Sequence, residues 1–393
     1  MIRSAEQIRG YTGPAILSYG FRPFFLAGGL WAGLVIALWL PFLSGNLVLP
    51  TMLSPVDWHL HELVYGYVPA VIAGFLFTAV PNWTGRLPIT GRPLLLLFLT
   101  WIAGRVAIMF SGVIGLGVAA AIDMVFITAL VAIIGREVAA GKNKRNLKVV
   151  AVVGLLLIGN ALFHLEIMVA KGTNYGVRLG VAATVLLIMI IGGRIIPSFT
   201  HNWLARQGSG RMPQQFSQFD GIVMMASGVA LLCWVAAPAF VATGLISLVA
   251  AGLNIARLSR WCGNRTLGEP LVFVLHVAYA FVPLGFLLVG IAALVPGALN
   301  AAGAMHAWTV GSVGLTTLAV MTRASLGHTG RPLVATAPIQ LLYISVFVAA
   351  VARVAAAFDV GREPLLHVSA AAWVLAFFGF AVVYWPVLTR PRA

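Results

Sequence analysis

The chain has 393 residues, 61% of them hydrophobic and only 9% charged, with a formal net charge of +15. A water-soluble domain averages about 45–50% apolar and about 25% charged residues, so this composition excludes one. The two cysteines, Cys233 and Cys262, exclude a disulfide framework and a cysteine-rich metal site.

Long, unalternating apolar runs fit a bilayer, where a helix needs about 20 apolar residues to cross about 30 Å of hydrocarbon. In chain order the predicted spans are 21–43, 58–81, 93–111, 114–135, 147–169, 178–200, 219–237, 239–258, 268–293, 301–322, 333–357 and 364–388. The fold class expected is all-α, a polytopic transmembrane helical bundle of about twelve helices. Little more than Pro238 separates the seventh span from the eighth. The first apolar run is too long for a signal-peptide core, so no cleaved leader is expected. Residues 1–20 are expected as a cytoplasmic N-terminal segment, 21–388 as the transmembrane domain and 389–393 as a cytoplasmic tail.

Basic residues set the orientation. With the N-terminus inside, 19 of the 25 Lys and Arg residues fall in inner loops and helix ends, against Lys171, Arg178 and Arg362 outside. Arg105, Arg194 and Arg353 fall within spans. Both termini are therefore expected in the cytoplasm. The positive charge anchors topology and faces anionic lipid, so nucleic acid is not an expected partner. The chain has no nucleotide-binding loop. The pentapeptide Thr-Gly-Arg-Pro-Leu occurs at Thr90–Leu94 and again at Thr329–Leu333, each copy ending an inner loop and opening a span.

Ionisable residues inside spans are functional candidates. In this orientation His59, His61, His164, His306 and His367 share one layer within about 8 Å of the outer surface, on four helices. Imidazole is the commonest metal ligand, and convergent side chains on facing helices build bundle cofactor sites. Those five are the candidate metal ligands; the alternative for each is an interfacial side chain reaching water. His59 and His61 are about 200° apart around a helix, so their rings point to opposite sides if this turn is helical, whereas a frayed first turn would let both reach one metal. Glu62 shares the His59 face and Tyr65 the His61 face. Met168 lies one turn beyond His164 and Met305 precedes His306, thioethers that would suit copper or simply fill gaps.

Arg105 and Arg353, in outer halves of their spans, need an anion such as Glu62 or Glu166, or else reach the interface. Asp123, near the middle of the fourth span, reads as a proton-relay group or a neutral acid bonded to a neighbouring helix. His276, with Tyr279 one turn on, could ligate a second cofactor. His201 and His328 read as solvated loop residues.

Several stretches carry a family resemblance. They are Tyr19-Gly20-Phe21-Arg22-Pro23-Phe24-Phe25, Trp58-His59-Leu60-His61-Glu62, Pro81-Asn82-Trp83-Thr84-Gly85-Arg86 and Gly192-Gly193-Arg194-Ile195-Ile196-Pro197-Ser198-Phe199-Thr200. With Met305-His306-Ala307 and the Thr-Gly-Arg-Pro loop, the chain resembles the NnrS family from the first helix to at least Leu333. The resemblance implies a twelve-helix protein of the bacterial cytoplasmic membrane that contains haem and copper and accompanies denitrification and nitrosative stress defence. No Cys-x-x-Cys-His is present, so the haem would be b-type. Arg105 or Arg353 would then hold propionates, and His276 would be a further cofactor ligand.

The expected function is protection against nitric oxide by a quinol-dependent reductase-like oxidoreductase forming nitrous oxide at an outer-side metal site. Protons would pass through Glu62 or Glu166 from outside, or along Asp123 and His276 from inside. The alternatives are a proton-coupled transporter and a nitric-oxide-binding sensor or accessory protein without turnover.

Overall fold

The computed structural model describes residues 10–142, 146–169, 174–358 and 361–392. Residues 1–9 and 393 of the expected terminal segments lie outside the described residues, as do the basic residues Arg3, Arg9, Lys144, Arg145 and Lys171. Among the described residues there is no strand, and twelve helices are long and apolar enough to cross a membrane. They are α1 Phe21–Leu43, α2 Pro55–Thr84, α3 Gly91–Met109, α4 Leu116–Ala140, α5 Leu147–Met168 and α6 Tyr175–Leu204. The second half comprises α7 Gln218–Ala236, α8 Val241–Ser259, α9 Pro270–Leu294, α10 Ala301–His328, α11 Ala337–Ala355 and α12 Arg362–Thr389. The expected all-α polytopic bundle is what the structure shows. The seventh and eighth spans are separate helices, broken at Ala237 where the backbone leaves the helical region.

Burial separates the helices by role. Most expose large apolar side chains, such as Leu96, Met225, Leu232 and Val382, as lipid-facing surfaces require. By contrast, 83% of the apolar window of α2 is buried, so this helix needs no lipid face and can carry polar side chains inward.

The chain forms two compact units: Met1–Gly180 with Met321–Pro332 and Phe377–Ala393, and Val181–Val320 with Leu333–Ala376. In the first, α2 packs on α1 and α4, and α4 packs on α3 and α5. In the second, α9 packs on α8 and α10, and α11 packs on α10.

Two helices depart from α geometry directly after a histidine. Glu62–Tyr67 in α2 follows His61, and Ala307–Gly314 in α10 follows His306; both segments are π-helical. In α2 the sequence supplies a cause. Pro69 has no N–H for the carbonyl of Tyr65, which weakens the α register just where the wider turn occurs. The carbonyl of Gly66 is satisfied instead by Trp101 Nε1 of α3, at 2.9 Å.

Candidate metal centre

The first unit encloses a polar cluster assembled from five helices. Ser54 caps α2 through the Asp57 amide at 3.1 Å and Pro55 opens it, which fixes the register that brings His61 and Glu62 inward. His61 Nε2 lies 3.2 Å from Asp123 Oδ2 of α4, and His164 Nε2 of α5 lies 3.0 Å from the same oxygen. Asn160, one turn before His164 on α5, donates Nδ2 to that oxygen at 2.7 Å. The other Asp123 oxygen takes Arg105 Nη2 of α3.

A second carboxylate completes the cluster. Glu62 accepts from Arg105 Nη1 at 2.8 Å and from Trp31 Nε1 of α1 at 2.8 Å, and its other oxygen lies 3.1 Å from His61 Nδ1. His61, Glu62, Asn160, Asp123, Arg105 and His164 are all buried, at 0 to 5% exposure. A cluster so far from water survives only if its charges pair, and Arg105 pairs with both carboxylates. Gly66 makes that possible: a β-carbon there would collide with Arg105 Nη1. Gly104 plays the same part for Asp123, whose Oδ1 would lie 3.1 Å from an added β-carbon.

One ligand atom each from His61, Asp123 and His164 lie within 4.8 Å of one another. Asn160 supplies a further observation. Its amide is oriented by donating to Asp123, which leaves its buried Oδ1 without a partner among the described residues. Two imidazole nitrogens, a carboxylate and an orphaned amide oxygen on neighbouring helix faces suit a small transition-metal ion. Glu62 on His61 Nδ1 is the kind of carboxylate that orients a ligating imidazole. Met168 is 47% exposed at the end of α5, so the buried donors are nitrogen and oxygen. A haem does not fit here. Both imidazole Nε2 atoms aim at one carboxylate oxygen, their ring centroids 5.0 Å apart, so no porphyrin plane passes between them.

The remaining candidates are placed as follows. His59 turns away from His61, as the helical rotation requires, and stacks on Trp39 with centroids 4.2 Å apart. Glu166 accepts from the backbone amides of Tyr175 and Gly176 at 2.8 and 3.1 Å, at the start of α6. His306 and His367 belong to the second unit. Each approaches the carbonyl four residues earlier through Nδ1, at 2.6 Å to Ala302 and 3.0 Å to Glu363. His306 is buried and His367 exposed; Arg353, also in this unit, is half-buried. His276 Nε2 contacts Thr200 Oγ1 at 2.8 Å, while its buried Nδ1 has no hydrogen-bond partner and faces Gly263. Asp123, expected near mid-span as a possible relay, lies seven residues into α4 and joins four side chains from three other helices.

Sequence reasoning missed Asn160, which is neither charged nor imidazole; its i, i+4 spacing to His164 was the available signal. It also placed Arg257 at an inner helix end. The structure buries Arg257 in the second unit, where it donates to Asp220 at 3.0 Å and to Tyr279 Oη at 2.9 Å. Tyr279 in turn donates to Asn254 at 2.8 Å, and Asn254 to Ser227 at 2.8 Å. This network ties α7, α8 and α9 together around Asp220, which Arg260 also approaches at 3.3 Å.

The profile of one family, described as NnrS protein, matches residues 15–392. No curated protein matches the chain. With essentially its whole length matched, this multi-pass membrane chain belongs to the NnrS family.

Proposed function

We propose that this protein is a metal-dependent membrane protein of the nitric-oxide response, with copper held by His61, His164 and Asp123 and Asn160 as a further oxygen donor. The observation that carries the metal reading is the meeting of three buried ligand side chains from α2, α4 and α5, within 4.8 Å. Copper and nitric oxide come from the family resemblance. When bound, copper supplies a redox-active centre able to take a small diatomic ligand.

The residues around it have separable tasks. Glu62 holds the His61 ring through Nδ1, and Arg105 fixes both carboxylates so that the donors converge. Phe163 lies 5.1 Å from His61, ring to ring, and helps to exclude water. Nitric oxide is small and lipid-soluble, so a closed apolar surround does not bar it. Reduction of two nitric oxide molecules to nitrous oxide and water consumes two electrons and two protons. A membrane quinol is the proposed electron donor, since the described residues are mostly apolar helices long enough to cross a membrane. Glu62 is the proposed route for protons, being bonded to a ligating histidine. The family's haem has no seat at this centre, which leaves His276, His306 and His367 as its candidate ligands. Both termini are proposed in the cytoplasm of a bacterial inner membrane, on the basic-residue asymmetry.

Metal analysis and visible spectroscopy of purified protein test the reading. About one copper per chain is expected, lost on His61→Ala and on Asp123→Asn. Catalytic nitrous oxide from nitric oxide and excess reductant supports reduction; a stable nitrosyl without turnover assigns binding or sensing. Fully folded, colourless and metal-free protein overturns the reading in favour of proton-coupled transport, for which the same buried carboxylates and histidines would be the coupling site.

A further inference from the structure

Two sequence markers play no part in the metal centre: the stretch opening α1 and the second Thr-Gly-Arg-Pro-Leu copy. The first, and the second as far as Pro332, lie in the first unit, at the end where α1 begins and α10 and α12 finish. Arg22, only 3% exposed, donates Nη1 to the carbonyls of Leu388 at 3.0 Å and Arg390 at 2.7 Å. It thereby satisfies carbonyls left over at the end of α12. That task occupies one of its three nitrogens.

Arg331 follows α10, its backbone amide bonded to Leu326 at 3.0 Å. Its Nη1 is buried and has no hydrogen-bond partner among the described residues. Arg331 lies three residues beyond His328, and Arg392 two residues beyond Arg390, whose carbonyl Arg22 holds. His328 packs 5.6 Å from Tyr19 and 5.8 Å from Phe21, ring to ring, so the opening of α1 and the end of α10 are in contact. Among the described residues no carboxylate pairs with Arg22, Arg331 or Arg392. Arg92, the matching arginine of the first pentapeptide copy, is by contrast exposed.

Among the described residues, three guanidiniums and an imidazole gather with no carboxylate, and one has a buried N–H lacking an acceptor, an arrangement that an anion would complete. The planar guanidinium fork matches the oxygens of a phosphate group. The cluster sits at the ends of apolar helices, which is where a bilayer places its headgroups. We propose that Arg22, Arg331 and Arg392 form a phosphate-binding site, filled by the headgroup of an anionic lipid or by free phosphate. The site is independent of the metal centre.

The test uses full-length protein. Native mass spectrometry reads phosphatidylglycerol retained after purification. Thermal denaturation is compared in nanodiscs of phosphatidylcholine with and without phosphatidylglycerol, and in inorganic phosphate against chloride at equal ionic strength. Wild type is expected to retain one anionic lipid per chain and to melt higher with phosphatidylglycerol or phosphate. Arg331→Gln is expected to weaken that binding roughly tenfold or more, and Arg92→Gln to leave it unchanged. A response to phosphatidylglycerol alone identifies a lipid, and an equal response to inorganic phosphate identifies the free ion. Should Arg331→Gln misfold, the exposed Arg392→Gln carries the test with a several-fold loss expected. The proposal falls if wild type responds to neither anion, or if the folded variants bind as wild type does.

Discussion

His61 and His164, from helices α2 and α5, direct their Nε2 atoms at the same oxygen of Asp123, from 3.2 and 3.0 Å. Removing Asp123 therefore takes away the point on which both rings converge. Asp123→Asn is expected to abolish copper retention, and His61→Ala or His164→Ala to lower it at least tenfold. Inductively coupled plasma mass spectrometry on detergent-purified protein measures this. Retention of a full metal complement by all three variants would remove this centre from consideration.

Among the described ion pairs, Arg105 is the only arginine or lysine paired with Glu62 and Asp123, whose other partners there are His61 and His164. Arg105→Met leaves two buried carboxylates facing one another, at an expected cost of about 3–5 kcal/mol. The double variant Arg105→Met with Glu62→Gln removes one of those charges and should recover part of that loss. Chemical denaturation in mixed micelles, analysed as a double-mutant cycle, gives the coupling.

Gly66 sits on the π-helical turn beside Arg105. Gly66→Ala brings a methyl group into Arg105 Nη1 and to within 3.0 Å of Glu62 Oε2. A loss of about 1–3 kcal/mol is expected, with reduced copper content because the ligand-orienting carboxylate must move. Gly154→Ala on α5, where no atom lies within 4 Å of an added β-carbon, is the matched control and should be neutral.

The Asp220–Arg257 pair belongs to the second unit and is also buried. Asp220→Asn should destabilise by several kcal/mol, roughly the cost of an uncompensated buried charge. Copper content per folded molecule should not change, because Asp220 and Arg257 belong to the second unit and the proposed ligands to the first. A parallel loss of copper would mean that the two networks are energetically coupled.

Metal removal offers a last check. A ligand bound only by the folded state raises stability by about 2.7 kcal/mol at 100 times its dissociation constant. Chelator-treated protein should melt lower than copper-loaded protein, and readdition should restore the difference. His61→Ala should show no such difference.

The sequence by itself determined the membrane class, the helix count and the family. Those depend on the length of apolar runs and on short local markers, which hold whatever the helices do next. Rotation along a helix is local geometry, so the divergence of His59 and His61 followed from the sequence on condition that this turn is helical, and the structure supplied that condition. Which side chains meet was decided only by tertiary structure. Asp123 carries no sequence signal that distinguishes a mid-span relay from a shared acceptor for two histidines, because its partners lie 18 to 62 residues away. Asn160 carries none beyond its spacing, being neither charged nor an imidazole. Depth alone predicts five histidines in one layer, but depth is one coordinate of three. The packing of α2 against α4, and of α4 against α5, selected His61 and His164, while His59 was turned onto Trp39. The π-helical turn after His61 was equally hidden: Pro69 weakens the α register, and only Trp101 of α3, bonded to the Gly66 carbonyl, shows how the departure is satisfied.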